Sequence, residues 1–357
     1  MKRVRVMIVD DSAFYRQAIT DMLKSSPYVE VAGSVTDGSE AIQALPLLKP
    51  DVITLDLSMP RMDGFTFLRW LMVNKPMPVL VVSSHSESTN VFRALEMGAV
   101  DFLAKETEKA SLDFIKCQGE LVGKIETIAM VTAEKLRDLR KLKAEADTAT
   151  TALSGNLHSG ERRAKAKFDV VVIGASTGGP PAIQNIIGRL AKDFQVPIVV
   201  AQHMPAGFTR FFAERLNHVS QIQVKEAEQG DVLETGGALI CPGGHHLHFK
   251  VSAGKTVIHL KPRQESDKYV PSVDATMSSA ADLFQARVLG VLLTGMGNDG
   301  KIGMQRIKEK GGRTLAEAES TAVVFGMPHE AIQAGAVDKV LPLPEILDEV
   351  IALCYPK

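Results

Sequence analysis

Twice in this 357-residue chain, short β-branched runs alternate with longer stretches of helical periodicity. A strand that returns to its sheet through a helix must lie parallel to its predecessor, and the crossover is right-handed. The first block runs from residue 4 to about 116, with strands "VRVMIV", "VEVAGSV", "DVITLDL", "PVLVVSS" and "VDFLA". Five such βα units predict a flavodoxin-like, doubly wound parallel sheet. The second block starts at 168 with "FDVVVIG" and "VPIVVAQH", and continues through "ARVLGVLLTG", "GGRTLAE" and "DKVLPL". Its middle, from about 222 to 261, is strand-rich with hairpin spacing, so a mostly parallel α/β sheet with an antiparallel excursion is expected.

Between the blocks the pattern changes. From 119 to 146, Leu121, Ile125, Ile128, Leu136, Leu139 and Leu142 fall on one stripe, which predicts an amphipathic helix extending the first domain. "DTATTALSGNLHSGERRAKAK" then offers almost nothing to bury and reads as a flexible linker. The expected organisation is one domain over 1–120, an extension and linker over 121–167, and a second domain over 168–357. Two cores suit the length.

With 41 basic and 42 acidic residues the chain has no overall field favouring nucleic acid or a membrane surface. The basic run Arg162, Arg163, Lys165 and Lys167 reads as solvated. Cys117, Cys241 and Cys354 are far apart and form no CxxC, which fits a reducing compartment. The apolar N-terminal run stops at Asp10, too short for a signal peptide or a membrane span, so a cytoplasmic protein without membrane insertion is expected.

Asp10 and Asp11 follow the first predicted strand, Asp56 ends the third and Lys105 ends the fifth, all at the carboxyl edge where such sheets bind ligands. Three carboxylates in one place repel, and a hard divalent cation such as Mg²⁺ relieves that repulsion. Asp56 would then accept a phosphoryl group, its charge offset by Mg²⁺ and Lys105. The plainer alternative makes Asp10 and Asp11 a helix cap before "SAFYRQAI". Taken together, "IVDDSAFYR", "LDLSMPRMDG", Ser83 after "VLVV" and "DFLAK" resemble a two-component response-regulator receiver domain. The resemblance implies Asp56 as phosphorylation site, Asp10 and Asp11 as further metal ligands, Ser83 as switch hydroxyl, Phe102 as switch aromatic and Lys105 as phosphate-sensing cation. It also implies a histidine kinase as phosphodonor. Glu106 departs from the family's usual proline after that lysine.

"IGASTGGPPA", 173–182, could cradle a phosphate or expose a nucleophile. A dinucleotide fingerprint needs glycine where Ser176 stands, and the only acid at the right distance, Asp193, is not at a strand end. Gly174-x-Ser176-x-Gly178 instead fits a nucleophile elbow between strand and helix, with Pro180 at the helix start and backbone N–H groups there aimed at a developing oxyanion. A serine needs a base, and His203 lies at the next strand end. For the acid, Asp299 in "LLTGMGNDG" is placed at the same edge, whereas Asp274 opens a helical stretch and reads as a cap. "HHLH" at 245–248 invites a metal reading, but no acid or cysteine in the segment completes a site.

"VVIGASTGGPPAI", "VAQHMP", "CPGGHHLHF", "PSVDATMSSAA", "LLTGMGNDG" and "TAVVFGMPHEAI" resemble the catalytic domain of the chemotaxis protein-glutamate methylesterases. The resemblance implies Ser176 as nucleophile, His203 as general acid/base and Asp299 as its orienter, with Thr177 and Met296 beside the oxyanion and triad. It implies methyl-accepting chemotaxis receptors as substrates, deamidation of receptor glutamines as well, and no cofactor for the ester step. The triad alone says only acyl transfer to water. Two rival readings are a non-catalytic receiver-linked adaptor and the same esterase serving a non-chemotactic pathway.

Overall fold

The computed structural model describes residues 3–84, 88–105, 117–138 and 166–356. The chain divides into two compact units, Met1–Lys141 and Leu142–Lys357, and each is a separate α/β layer structure.

In the first unit β1 (Val4–Val9), β2 (Val29–Val35), β3 (Val52–Leu55), β4 (Val79–Ser84) and β5 (Asp101–Lys105) form a parallel sheet in the order β2-β1-β3-β4-β5. β3 is buried along its whole length, as a strand covered on both faces must be. Each fully buried Val, Ile or Leu there contributes about 1.5–3 kcal/mol. Strand order reverses between β1 and β3, which opens a crevice at their carboxyl ends.

The predicted helix over 119–146 is not continuous. Helix Gln118–Ile128 buries Leu121, Ile125 and Ile128, then ends in tightened bonds, Met130 N–H to Thr127 O and Val131 N–H to Ile128 O. Thr132 restarts helical backbone over 133–138 by accepting Lys135 N–H at 3.1 Å, and Leu136 rejoins the buried stripe. Leu139, Leu142, Glu106 and the linker stretch 147–165 lie outside the described residues.

The second unit has a seven-stranded sheet built from β6 (Val170–Ala175), β7 (Ile198–Gln202), β8 (Gln223–Glu226), β9 (Gly237–Ile240), β12 (Val288–Leu292), β13 (Arg313–Glu317) and β14 (Lys339–Leu341). Its order is β14-β13-β12-β6-β7-β9-β8, every pair parallel. The expected antiparallel excursion is the hairpin β10 (His245–Ser252) and β11 (Lys255–Pro262). Leu247, Phe249 and Ile258 on its inner face join the core beside helix Val273–Phe284, where the Phe249 and Phe284 rings meet edge to face at 5.5 Å. The chain turns back at β6, which lies between β7 and β12, so the carboxyl ends of these three strands face one crevice.

All three cysteines are free, and burial pushes the Cys241 and Cys354 thiols up to about 12, so neither ionises near neutrality. Among the described residues no helix is long and apolar enough to cross a membrane.

Candidate active site and acidic pocket

At the crevice of the first sheet, ligand atoms of Asp10, Asp11 and Asp56 lie within 4.8 Å of one another. Lys105 Nζ reaches Asp10 Oδ2 at 2.8 Å and Asp56 Oδ2 at 2.9 Å. Burial works to lower the ammonium's pKa, but the Asp56 and Asp10 charges outweigh it and hold Lys105 protonated. Asp10 Oδ2 is buried and makes no hydrogen bond beyond that ion pair. Oxygen-only donors, an excess of negative charge and an under-satisfied buried carboxylate fit a hard cation of the Mg²⁺ kind.

The capping alternative fails on geometry. Helix Ala13–Leu23 has Ser12 as N-cap with no side-chain cap bond, and Asp10 Oδ1 accepts the Ser12 N–H at 2.9 Å instead. Ser83 is buried on β4 beside Ala104 of β5, and Phe102 is buried on β5, with Lys124 Nζ 5.8 Å from its ring centre.

In the second unit Ser176 follows β6 directly. Its N–H donates to Thr294 O at 3.0 Å, and its carbonyl accepts from Gly179 N–H at 2.8 Å and from Gln202 Nε2 at 2.9 Å. Gly178 next in the turn has φ +78°, and a Cβ there would come 2.6 Å from Val323 Cβ, so only glycine fits. Gly295 after β12 is required differently, because a Cβ would stand 2.8 Å from that of Ser176. Ser176 is partly exposed, and its Oγ makes no hydrogen bond among the described residues.

The expectation of oxyanion donors at the helix start needs correction. Gly179 N–H is bonded to Ser176 O, and Pro180 and Pro181 carry no N–H. The N–H groups of Thr177 and Gly178 are the first along the chain after the serine. Thr177 is buried and its carbonyl accepts from Thr294 Oγ1 at 2.9 Å, while Met296 is 39% exposed in the loop after β12.

His203 follows β7, and its Nε2 lies 2.7 Å from Asp299 Oδ2. With Nε2–H assigned to that bond by its partner, Nδ1 keeps a lone pair for a proton. The imidazole is sandwiched against Tyr269, rings 4.8 Å apart and 7° from parallel. Asp299 is buried and also accepts from Ser272 Oγ at 3.0 Å, Val273 N–H at 2.7 Å and Asp274 N–H at 2.9 Å. Burial is the largest influence and raises its pKa, but the His203 bond and charge and the two helix-start amides overcome it. The Asp299 carboxyl therefore stays ionised, below the usual carboxylate range.

Asp274 does not meet His203. Its Oδ1 accepts Gly300 N–H at 2.9 Å and Gly303 N–H at 2.7 Å, at the start of helix Lys301–Glu309. Each acid thus caps the helix that the other adjoins: Asp299 closes Val273–Phe284 and Asp274 closes Lys301–Glu309.

Sequence reading missed Tyr269, Gln202 and a chain of bonds behind Asp299. Ser272 N–H donates to His246 Nδ1 at 3.2 Å, and His246 Nε2 bonds Asp267 Oδ2 at 2.9 Å. Both ring nitrogens of His246 are therefore engaged, which leaves it no lone pair for a metal. Among the described residues the only grouping suited to a metal is Asp10, Asp11 and Asp56. "HHLH" and "PSVD" were visible as motifs, but nothing in their spacing pairs His246 with Ser272.

Both units of the chain match known protein families. The model of the CheB methylesterase family matches residues 171–350, and that of the response regulator receiver domain matches 6–114. A Geobacter sulfurreducens protein named protein-glutamate methylesterase/protein-glutamine glutaminase 3 is 47% identical over 99% of this chain and 98% of its own. A Pyrococcus horikoshii protein-glutamate methylesterase/protein-glutamine glutaminase is 40% identical over 98% of this chain and 93% of its own. The crystal structure of the Thermotoga maritima CheB methylesterase catalytic domain is 44% identical, with a TM-score of 0.51, covering 52% of this chain and 98% of that one. The chain belongs to the CheB methylesterase family and carries a receiver domain ahead of its hydrolase domain.

Proposed function

We propose that this protein hydrolyses glutamate γ-methyl esters on the cytoplasmic parts of methyl-accepting chemotaxis receptors, and that phosphorylation of Asp56 raises its rate. The observation that carries the reading is the convergence of Ser176, His203 and Asp299 at three strand ends, with His203 bound to Asp299 at 2.7 Å. His203 Nδ1 takes the Ser176 hydroxyl proton as Oγ attacks the ester carbonyl, and Asp299 stabilises the imidazolium. Main chain at Thr177–Gly178 would face the negative oxygen, with Met296 beside it. The C–O bond breaks, His203 returns the proton to the departing methoxide, and methanol leaves. Water then gives its proton to His203 and attacks the acyl-enzyme; Ser176 is restored and a glutamate carboxylate released. With a glutamine side chain the same sequence releases ammonia.

In the receiver, Asp10, Asp11 and Asp56 would hold Mg²⁺, and Asp56 would take the phosphoryl group from a histidine kinase. The bound cation supplies charge neutralisation for that transfer. Lys105, 2.9 Å from Asp56 Oδ2, would pair with the added phosphate, and Ser83 and Phe102 would respond to it. A cytoplasmic location follows from those partners. Relatives named as enzymes over the whole chain favour this reading over a non-catalytic adaptor.

Methanol release from methylated receptor tests it. Ser176→Ala is expected to remove the activity in a folded protein, and near-normal release would refute the assignment. An acyl-phosphate donor with Mg²⁺ should accelerate the native protein and leave Asp56→Asn unchanged.

A further inference from the structure

The hairpin over 245–262 carries four of the chain's nine histidines and three lysines, and no acid. Its faces are sorted by register. Leu247, Phe249 and Ile258 point into the core, while His246 stands opposite Lys261, and His248 opposite His259, with Lys250 next along. An acid across from Lys261 would be its stabilising partner, and His246 stands there instead.

Lys250, Lys255, Lys261 and the adjacent Lys268 make no ion pair among the described residues. Asp267 bonds His246 and Gln264 N–H, Asp231 pairs with Lys225, and Asp274 accepts Gly300 and Gly303 N–H. The residual field registers on His248, whose imidazole is pushed down to about 4, by burial first and then by Lys261, His246, His259 and Lys250. A cleft of about 420 Å³ runs from this face to Asp299, lined by His248, Lys261, Lys268 and Tyr269 and also by Asp267 and Asp274. Tyr269 stacks on His203, so a chain lying in the cleft passes beside the base.

We propose that the outer face of this hairpin docks an acidic segment of the protein substrate, setting carboxylates that flank the ester against Lys250, Lys261 and Lys268 while the ester reaches Ser176. The proposal rests on the reading of Ser176, His203 and Asp299 as the catalytic triad. Attraction between exposed charges at this range raises encounter and lowers KM, and is screened by salt. It leaves the acyl-transfer step itself alone.

The experiment uses the full chain and three substrates: a soluble peptide with one glutamyl methyl ester flanked by glutamates, the same peptide with flanking glutamines, and a blocked single-residue glutamate methyl ester. At low salt the acidic peptide is expected to exceed the glutamine peptide about tenfold in kcat/KM, mainly through KM, with the two converging near 1 M salt. In K250E/K261E the preference should vanish or invert, while hydrolysis of the single-residue ester stays near native and the melting temperature is retained. Equal native rates on the two peptides would overturn the proposal without any variant. So would a K250E/K261E variant that loses single-residue ester hydrolysis as much as peptide hydrolysis. Weakened binding to vesicles of anionic phospholipid with the peptide preference intact would assign the face to a membrane surface instead, and overturn it. Failure of the triad is read separately, as activity of Ser176→Ala on the single-residue ester.

Discussion

Asp274 and Asp299 are two carboxylates at one pair of helix starts whose pKa values are pushed in opposite directions. Asp299 keeps its charge because His203 and two helix-start amides share it. Asp274 has its carboxyl pushed up to about 6, by burial first and also by the Asp299 charge, against the lowering effect of the Gly303 amide. A carboxyl whose folded pKa lies above its unfolded value favours folding fully below the unfolded value, and that contribution is lost as pH rises through about 6. Asp274→Asn stays neutral and can still accept both amides, so its stability relative to the native protein should improve steadily from pH 4 to 7. Urea midpoints across that range measure it. His246 is a positioning residue reaching Asp299 through Ser272. His246→Leu should lower kcat by roughly 10- to 100-fold with KM little changed, since small misplacements of catalytic groups have effects of that order. His246→Asn, which keeps an acceptor near Nδ1, should recover most of the loss, and the downfield proton shared by His203 and Asp299 should track both changes in NMR. The triad was legible because each member stands at a strand end beside small residues. Tyr269 and His246 were not, because they arrive from loop and hairpin by tertiary contact that no local periodicity encodes.

At the level of elements, the strand and helix alternation carried the fold, and the departures have local causes. Thr132 makes its own cap, which cuts the predicted long helix in two. Helix Gln118–Ile128 is fixed to the sheet by Lys124, whose Nζ lies 2.7 Å from Asp101 Oδ2 in a largely buried pair. Burial disfavours that ammonium, but the Asp101 and Glu120 charges outweigh it and raise its pKa. Removing one partner leaves the other buried charge uncompensated, so Lys124→Ala should destabilise the receiver by about 3 kcal/mol in denaturant unfolding. On the hairpin, His248 favours the folded state fully above its ordinary 6.5, and that stability is lost as pH falls through about 4. Its ring-proton NMR signal should stay flat from pH 7.5 down to 5, and K261Q should move the titration upward.

Across the whole molecule, two parallel sheets place two different chemistries by the same rule. Asp10 and Asp56 flank the reversal of the first sheet, while Ser176, His203 and the loop bearing Asp299 surround that of the second. Strand ends therefore suffice to single out both candidate sites in the sequence. The sorting of charge on the hairpin required register as well, since only cross-strand pairing sets His246 against Lys261. The crossed caps of Asp274 and Asp299 carry a further consequence. Fraying of the Val273–Phe284 start releases the amides that fix the acid behind His203, and fraying of the Lys301–Glu309 start releases Asp274, whose own N–H is one of them, so the site is tied to both helices. Heating should then extinguish esterase activity and helical signal along one curve, with no folded but inactive species between them. The amides of Val273, Asp274, Gly300 and Gly303 should exchange with deuterium as one group.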